Sequence, residues 1–215
     1  SSNDISEFDG LNLTVRLIYN LNETDGITDA IATEIASKPA QFTRTGITAD
    51  AYSTVCLPFD FTAPTGCTIY GFQGIHYDED ALGAGQGAWV ADIAETTTMT
   101  AHTPYIFKST GTEATFSGTA SDAADYSSAL ESNAVSATVG TDQAWTFKGT
   151  YSAIDWTTTA PDVPTYGFST YVPAATTIAA GTFVRFVKGA SLAPFRARLI
   201  YSGSDTHLNA PKRYC

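Results

Sequence analysis

The chain has 215 residues and a mass of 22.8 kDa, which suits one large β domain or two small ones. Its hydrophobic fraction of 43% is in the globular range and its charged fraction is only 15%, which excludes an intrinsically disordered chain. The net charge of −11 would repel a polyanion at long range and argues against DNA or RNA as a partner.

Residues that favour strands and tight turns dominate the composition. Abundant Thr with 12 Phe, 11 Tyr and 17 Gly predicts an all-β fold. The few lysines and the isoelectric point near 4.4 are typical of exported bacterial proteins. No apolar run is long enough to predict a membrane span, and residues 1–10 lack the basic and apolar stretches of a signal peptide. We therefore expect an exported protein whose signal has already been removed.

The first 39 residues predict one strand and one short helix. Residues 11–19 alternate between apolar and polar side chains, as a half-buried strand does. Thr28 precedes an apolar spacing that predicts a helix over 28–37, and a weaker helical pattern lies near 123–130. We assign residues 1–39 to an N-terminal strand plus helix or linker that packs on or precedes the main module, and residues 40–215 to that module.

The remainder of the chain predicts strands and turns. Residues 55–61 alternate, but Pro58 cannot donate to a ladder, so this strand is expected at a sheet edge or at a bulge. About ten strands in a chain of this length favour an antiparallel β-sandwich of the jelly-roll or immunoglobulin-like type. Further strands are predicted at 105–108, 145–147, 182–188 and 195–201.

A four-residue sequence, Arg-Leu-Ile-Tyr, occurs at residues 16–19 and again at residues 198–201. In both copies Leu and Tyr share one face of a predicted strand. One explanation of the match is chance similarity between two β-strands. The alternative is that the first and last strands are equivalent elements, as in a tandem array or in subunits that exchange strands.

Five motifs follow one another along the chain: Phe42-Thr43-Arg44, the stretch 52–60 (YSTVCLPFD), the stretch 101–108 (AHTPYIFK), the stretch 147–151 (FKGTY) and the stretch 194–197 (PFRA). This ordered set resembles a module common in secreted and cell-surface proteins of Bacteroidetes and Fibrobacteres. The resemblance covers about residues 40–203, and the order of the motifs is more specific than any one of them. Residues 11–27 resemble the strand and linker that follow the last motif in such proteins, which implies an array of units.

Two positions depart from the family pattern. Tyr52 replaces the usual Trp, and Arg198 replaces the usual Tyr, so the aromatic residues of those strands are not carried over. Members of the family are mostly accessory or repeat domains beside glycan-active or adhesive modules. The resemblance therefore implies a secreted or surface location and this architecture, and it transfers no catalytic residues.

Three cysteines are present. Cys56 and Cys67 flank the turn-forming residues 64–66, a spacing that a strand, turn and strand could close as a disulfide. The same spacing suits two independent buried thiols. Cys215 is left over and is compatible with a free thiol or with a link between chains.

No catalytic or metal motif stands out. His76, His102 and His207 share no short spacing with one another or with Cys, so no zinc site is predicted, and each is expected to be solvated or hydrogen-bonded. The acidic run 78–80 precedes three glycines and could supply oxygens to calcium, but it lacks the spaced ligands of a dedicated calcium loop. We predict no cofactor and a non-enzymatic protein, because no carboxylate pair is singled out for glycosidase chemistry.

Aromatic residues in polar segments give the best candidate site. Trp156 follows Asp155 among turn-forming residues, and Tyr166 and Tyr171 follow in a stretch bounded by prolines. Sugar rings stack on such aromatic faces while neighbouring polar groups bond their hydroxyls. We predict a ligand site of Trp156, Tyr166, Tyr171 and Asp155; the alternative is that Trp156 covers one end of the sandwich.

Two functions follow from these observations. The first is an accessory carbohydrate-binding or adhesion domain that holds a polysaccharide or surface glycan. The second is a structural, self-associating subunit or tandem repeat of a surface fibre, whose partners are copies of itself or neighbouring modules. The repeated strand and Cys215 motivate the second.

Overall fold

The computed structural model describes residues 18–81, 83–85, 87–121, 135–139, 143–169 and 182–203. This part of the chain forms one helix and sixteen strands. The helix is α1 (Asp29–Ile35), and the strands are β1 (Tyr19–Leu21), β2 (Pro39–Thr45), β3 (Tyr52–Cys56), β4 (Phe61–Thr62), β5 (Cys67–Asp78), β6 (Ala88–Thr96), β7 (Thr98–Met99), β8 (Pro104–Ser109), β9 (Glu113–Thr119), β10 (Val135–Val139), β11 (Gln143–Thr150), β12 (Ile154–Trp156), β13 (Thr165–Phe168), β14 (Phe183–Arg185), β15 (Ala190–Leu192) and β16 (Arg196–Tyr201).

The short helix predicted near residue 28 is confirmed. Thr28 caps α1, because its hydroxyl accepts a hydrogen bond from the backbone N–H of Ile31 at 3.3 Å. Ala32 and Ile35 form the buried side of the helix. The weaker helical pattern near 123–130 lies outside the described residues. Within the described residues, no helix has the length and apolar character that a membrane crossing requires.

The strands form five sheets, and the all-β prediction is confirmed. A four-stranded sheet has the order β3-β8-β5-β6, a five-stranded sheet the order β10-β11-β16-β13-β14, and a three-stranded sheet the order β1-β2-β9. Two ribbons, β4-β7 and β12-β15, complete the set. The pair β1-β2 is parallel, and the other strand pairs are antiparallel.

The four-stranded sheet contributes to two hydrophobic cores, one on each face. Side chains alternate along β8, so Tyr105 and Phe107 enter the first core and Ile106 enters the second. The first core joins this sheet to the three-stranded sheet, with Phe107 and Phe116 ring centroids 5.5 Å apart. The second joins it to the five-stranded sheet, where Trp89 and Trp145 lie 5.4 Å apart. A simple two-sheet sandwich is therefore not confirmed.

A β-bulge adjusts the long strand β5 to the second core. The register against β6 shifts between Phe72 and Gly74, which inserts Gln73 as an extra residue. Phe72 and Ile75 are three positions apart and would face opposite sides of a regular strand. The bulge lets both side chains enter the second core.

The strand predicted over 55–61 is interrupted around Pro58, but its first part, in β3, lies at a sheet edge as predicted. Strand β3 ends at Cys56 and lies at the edge of the four-stranded sheet. The chain beyond Pro58 makes only an isolated bridge from Phe59 to Ala120 before β4 begins.

The described part of residues 1–39 shares a core with later strands. Leu21, Ile27 and Ile35 belong to the first core together with Phe42. Strand β1 also pairs with β2, which begins at Pro39. The division of the chain near residue 39 stays a prediction.

The predicted disulfide between Cys56 and Cys67 is wrong: both thiols are free. The physical reason is the order of the sheet, since β8 lies between β3 and β5. Cys56 pairs with Pro104 and Cys67 with Ser109, at opposite ends of β8. At about 3.4 Å per residue these positions are about 17 Å apart along the sheet, far beyond the reach of a disulfide.

The two copies of the repeated sequence occupy different environments. Tyr19 lies in β1, which pairs in parallel with β2, whereas residues 198–201 lie in β16 between β11 and β13. Residues 16 and 17 lie outside the described part of the chain. Both end strands pair within the chain and are not equivalent elements, which favours chance similarity.

Candidate functional site

Trp156 lies in the ribbon β12-β15, where it pairs with Ala190. The turn that leads into β15 contains Gly189 at φ +95°, a conformation that glycine adopts without a steric penalty. The N–H of Gly189 donates to the carbonyl of Trp156 at 2.9 Å, which fixes the end of the ribbon. Asp155 is exposed, and its carboxylate accepts from the N–H of Thr157 at 2.7 Å. Asp155 therefore holds the turn that follows Trp156.

Trp156 forms the outer ring of an aromatic stack. Its ring and that of Phe186 have centroids 4.8 Å apart and planes inclined by 27°. Phe186 in turn lies directly on Gly167, where a Cβ atom would overlap its ring. Phe186 covers one face of Trp156, yet Trp156 remains partly exposed. The prediction had not included Phe186 in the site.

The prediction that Tyr166 belongs to an exposed aromatic surface is wrong. Tyr166 is only 1% exposed and packs against Trp145 in the second core, with ring centroids 5.5 Å apart. The reason is its position in β13, where it pairs with Leu199 and shares the inner face of the sheet. Tyr171, the other predicted partner of Trp156, lies outside the described residues.

A polar cleft opens beside the aromatic stack. Strands β13 and β16 pair only at Thr165 with Ile200 and at Tyr166 with Leu199. Beyond these pairs, a cavity of about 230 Å³ lies between the residues that end β13 and those that begin β16. It is smaller than the pockets that enclose drug-sized ligands, and a single sugar ring is of a suitable size. The lining residues are Ser53, Thr54, Phe168, Ser169, Phe186, Ser191, Leu192, Ala193, Arg196 and Ala197.

Thr54 satisfies backbone groups at the floor of the cleft. Its hydroxyl donates to the carbonyl of Ala197 at 3.2 Å and accepts from the N–H of Ala197 at 2.9 Å. These two groups would pair with β13 if that strand continued beside β16. The hydroxyl therefore allows the strands to separate without leaving a buried backbone group unpaired.

Arg196 supplies the cation of the cleft. One Nη atom of Arg196 donates to Glu23 at 3.1 Å, and the other carboxylate oxygen of Glu23 pairs with buried Arg44. Burial, together with nearby Arg196, lowers the pKa of Arg44 to about 10, and Glu23 opposes this shift. The Nε of Arg196 is buried and has no hydrogen-bond partner among the described residues.

A buried hydrogen-bond network lies apart from the cleft. His102 bonds through Nδ1 to the hydroxyl of Tyr151 at 2.7 Å and through Nε2 to Ser121 at 2.6 Å. The thiol of Cys56 donates to the carbonyl of His102 at 3.6 Å, and burial raises the pKa of this thiol to about 12. This chain of hydrogen bonds through a serine, a histidine and a tyrosine is similar to a catalytic triad. His102, however, is only 7% exposed. This burial favours a structural role that holds His102 at φ +65°.

In the acidic loop predicted as a possible calcium site, two carboxylates accept hydrogen bonds from backbone N–H groups of the loop itself. Asp78 accepts from the N–H of Asp80 at 2.9 Å, and Asp80 accepts from the N–H of Gly85 at 2.7 Å. His76, just before this loop, pairs with Asp92 at an exposed position. Among the residues that the structure describes, no three His, Cys, Asp or Glu side chains are placed to share a metal ion.

A second cavity, of about 270 Å³, borders the second core. Its lining is mainly apolar, so it offers few groups that could orient a polar ligand. It is lined by Tyr52, Val90, Ala91, Ile93, Ile106, Phe168 and Phe183.

Comparisons with known proteins do not assign this chain to a family or a function. The chain matches no family model, no curated protein and no solved structure. The resemblance carried by its motifs stays a prediction, and the function must be argued from the site.

Proposed function

We propose that this protein is a non-catalytic accessory module that binds a polysaccharide or surface glycan outside the cell. One sugar ring stacks on Trp156, and the hydroxyl-lined cleft beside Phe186 receives a neighbouring sugar or substituent. In this proposal the four-stranded and five-stranded sheets, which face each other across the second core, form the β-sandwich. The secreted or surface location rests on the acidic composition and on the motif resemblance.

The observation that carries the proposal is the partly exposed Trp156, held by Phe186 next to a cleft with an arginine and several hydroxyls. An aromatic ring fixed in place loses little conformational entropy when a sugar stacks on it. The hydroxyls of Ser53 and Ser191 and the guanidinium of Arg196 can bond sugar hydroxyls.

Binding is favoured over hydrolysis by the chemistry of the cleft. Glycosidases place two carboxyl groups across the scissile bond. Among the residues that the structure describes, none that lines this cleft is Asp or Glu. Glu23, which reaches Arg196, also binds Arg44 and is already engaged by two guanidinium groups.

The structural, self-associating alternative has less support. It requires an end strand that pairs with a neighbouring chain. Both β1 and β16 pair within the chain, and β16 has partners on both sides. Strand β16 therefore has no free edge for a neighbouring copy, whereas β1 lies at the edge of its sheet and keeps one.

The test is retention on a panel of plant, bacterial and host polysaccharides. We expect Trp156→Ala to abolish retention that the wild type shows and Trp156→Phe to keep part of it, because a smaller aromatic face remains. Ile18→Ser is the matched control for general adsorption, since Ile18 is 52% exposed and precedes β1 on the three-stranded sheet. Retention that survives in Trp156→Ala, or that Ile18→Ser lowers equally, would contradict the proposal.

A further inference from the structure

The five-stranded sheet and its adjoining turn concentrate the positive charge of an acidic protein. Most of the lysines and arginines that the structure describes lie on β11, β14, β16 and the turn before β15. Only Asp155 and Asp162 are acidic within the described residues 143–169 and 182–203. The cations are Lys148, Arg185, Lys188, Arg196 and Arg198.

Two of these cations lie directly opposite each other. Lys148 on β11 pairs in register with Arg198 on β16. Phe147 and Leu199 belong to the second core, so the side chains of Lys148 and Arg198 leave the opposite, outer face of the sheet. Like charges at opposite positions of two strands repel each other. The charges of this pair therefore do not stabilise the sheet by themselves, and an anion between them would relieve the repulsion.

Arg198 also lacks the counter-charge that its neighbour has. Arg196 is paired with Glu23, whereas Arg198 makes no ion pair with any residue that the structure describes. The Nη1 atom of Arg198 is buried without a hydrogen-bond partner among those residues. Burial also lowers the pKa of this guanidinium. A guanidinium nitrogen that is withdrawn from water and unpaired is an unsatisfied donor, and an anion that binds the partly exposed guanidinium would satisfy it.

The cation pair lies on the same sheet face as the aromatic stack. Tyr166 faces the second core, so the next residue, Gly167, and the Phe186 ring that covers it are on the outer face. The strand order β11-β16-β13 places Lys148, Arg198 and Gly167 on successive strands. Two strand spacings amount to about 10 Å. This is the distance from Lys148 to Gly167, and Trp156 lies on the Phe186 ring that covers Gly167, so a short oligosaccharide spans the two places.

We propose that Lys148 and Arg198 bind the carboxylate of a uronic acid residue in a polysaccharide whose neighbouring ring stacks on Trp156. The inference rests on the proposed function and specifies its ligand class as an acidic polysaccharide. The planar guanidinium binds a carboxylate with two hydrogen bonds, and the lysine adds a second positive charge.

The overall charge of −11 does not prevent such binding. Long-range repulsion between exposed charges is screened beyond about 8 Å at physiological ionic strength. A partly buried guanidinium in contact with a carboxylate is screened much less. The net charge slows the approach of the polymer, and the local contact determines whether it stays bound.

The first experiment compares galacturonate with galactose, which has a CH₂OH group in place of the carboxylate. The Nε–H signals of the arginines are followed by ¹H–¹⁵N NMR, and the Arg198 signal is assigned from its loss in Arg198→Gln. We expect galacturonate to shift the Arg198 signal in a saturable manner and galactose to leave it unchanged. Equal responses to the two sugars, or none to either, would overturn the proposal.

The second experiment measures retention on polygalacturonate and on a neutral polysaccharide that the wild type binds. Lys148→Gln and Arg198→Lys should each weaken binding to polygalacturonate about tenfold, the effect of losing one charge-assisted hydrogen bond. They should leave binding to the neutral polymer unchanged. Lys38→Gln is the control for Lys148→Gln, because it removes the same charge at an exposed residue away from the sheet, and Arg198→Lys leaves the net charge unchanged.

The outcomes separate the two proposals. If Trp156→Ala loses retention while Lys148→Gln and Arg198→Lys keep full binding to polygalacturonate, the carboxylate site is overturned and the binding module stands. If the wild type is retained by no polysaccharide, the proposed function fails, and the galacturonate titration still decides whether Arg198 binds a carboxylate.

Discussion

Burial determines the chemistry of Cys56 and Cys67. Cys56 is fully enclosed in the first core, and burial raises its pKa to about 12; a hydrogen bond with Tyr151 opposes that shift. Cys67 is only partly buried at the start of β5, and its pKa is raised for the same reason. The thiolate is the reactive form of cysteine, so Cys56 should be inert in the folded protein.

The buried Cys56 thiol predicts a loss of stability at high pH. Its pKa of about 12 in the fold exceeds the ordinary value of 9.0, so the folded state keeps this proton where the unfolded chain loses it. The neutral thiol contributes fully to the free energy of unfolding at pH values below 9.0. This contribution is lost as the pH rises through about 12, the pKa of Cys56 in the folded protein. Urea unfolding at a series of pH values should show a shallower decline for Cys56→Ala than for the wild type.

Cys67→Ala is the matched control for this measurement. The Cys67 thiol is partly exposed, so its removal should change the slope of unfolding free energy against pH less than removal of the Cys56 thiol does. An identical slope in the wild type and in Cys56→Ala would contradict a buried neutral thiol. Mass spectrometry after alkylation should also find Cys56 labelled only when the protein is unfolded. A disulfide-linked peptide of Cys56 and Cys67 would contradict the sheet order.

At the scale of single elements, Gly167 couples β13 to the proposed binding surface of Phe186 and Trp156. Phe186 occupies the space above Gly167, and Trp156 stacks on Phe186. Any side chain at position 167 must therefore displace the Phe186 ring and with it the support for Trp156. The sequence at position 167 controls a surface formed by two other elements.

Gly167→Ala should destabilise the protein and weaken glycan binding together. The added methyl group forces the Phe186 ring aside, and such overpacking costs about 1–3 kcal/mol. Gly111→Ala is the matched control, because the nearest atom to its new Cβ would be 3.7 Å away. Urea unfolding measures the stability and polysaccharide retention measures the site. Unchanged retention in Gly167→Ala would show that Trp156 does not need Phe186 for binding.

Regular patterns made the main elements predictable. Alternation identified β8, β11 and β16, and the spacing after Thr28 identified α1. Each of these signals is local, because it depends on which face of a single strand or helix is buried. The bulge at Gln73 has no such signal, since its effect appears only in the pairing of β5 with β6.

The candidate site was less predictable because it depends on contacts between elements. Trp156 was identified from its polar neighbours, but its stacking partner Phe186 lies beyond the end of β14. Phe186 is three residues after Phe183, and side chains three apart in an extended chain point to opposite faces. This spacing indicates that Phe186 lies on the outer face of the sheet. Tyr166 was misplaced because the pairing of β13 with β16 decides its burial. Cys56 and Cys67 were misassigned for the same reason, since sequence spacing does not reveal a strand inserted between them.

At the scale of the whole molecule, the four-stranded sheet joins two cores that would otherwise be separate. One face of β8 packs in the first core and the other in the second. Strand β3 also connects directly to the five-stranded sheet. The N–H of Cys56 donates to the carbonyl of Phe195, and the Thr54 hydroxyl bonds both backbone groups of Ala197. The two cores should therefore unfold in one transition.

Thr54→Val tests this coupling, because valine keeps the shape and removes the hydroxyl. It leaves the N–H and the carbonyl of Ala197 without their partner, which should cost about 1–3 kcal/mol. Thr54→Ser keeps the hydroxyl and is the control. Urea unfolding is followed by tryptophan fluorescence, which reports the second core through Trp89 and Trp145, and by alkylation of Cys56 in the first core. Both probes should shift to lower urea together, because a shared sheet cannot lose one core and retain the other. A shift in fluorescence alone would mean that the cores unfold independently and that β8 does not couple them.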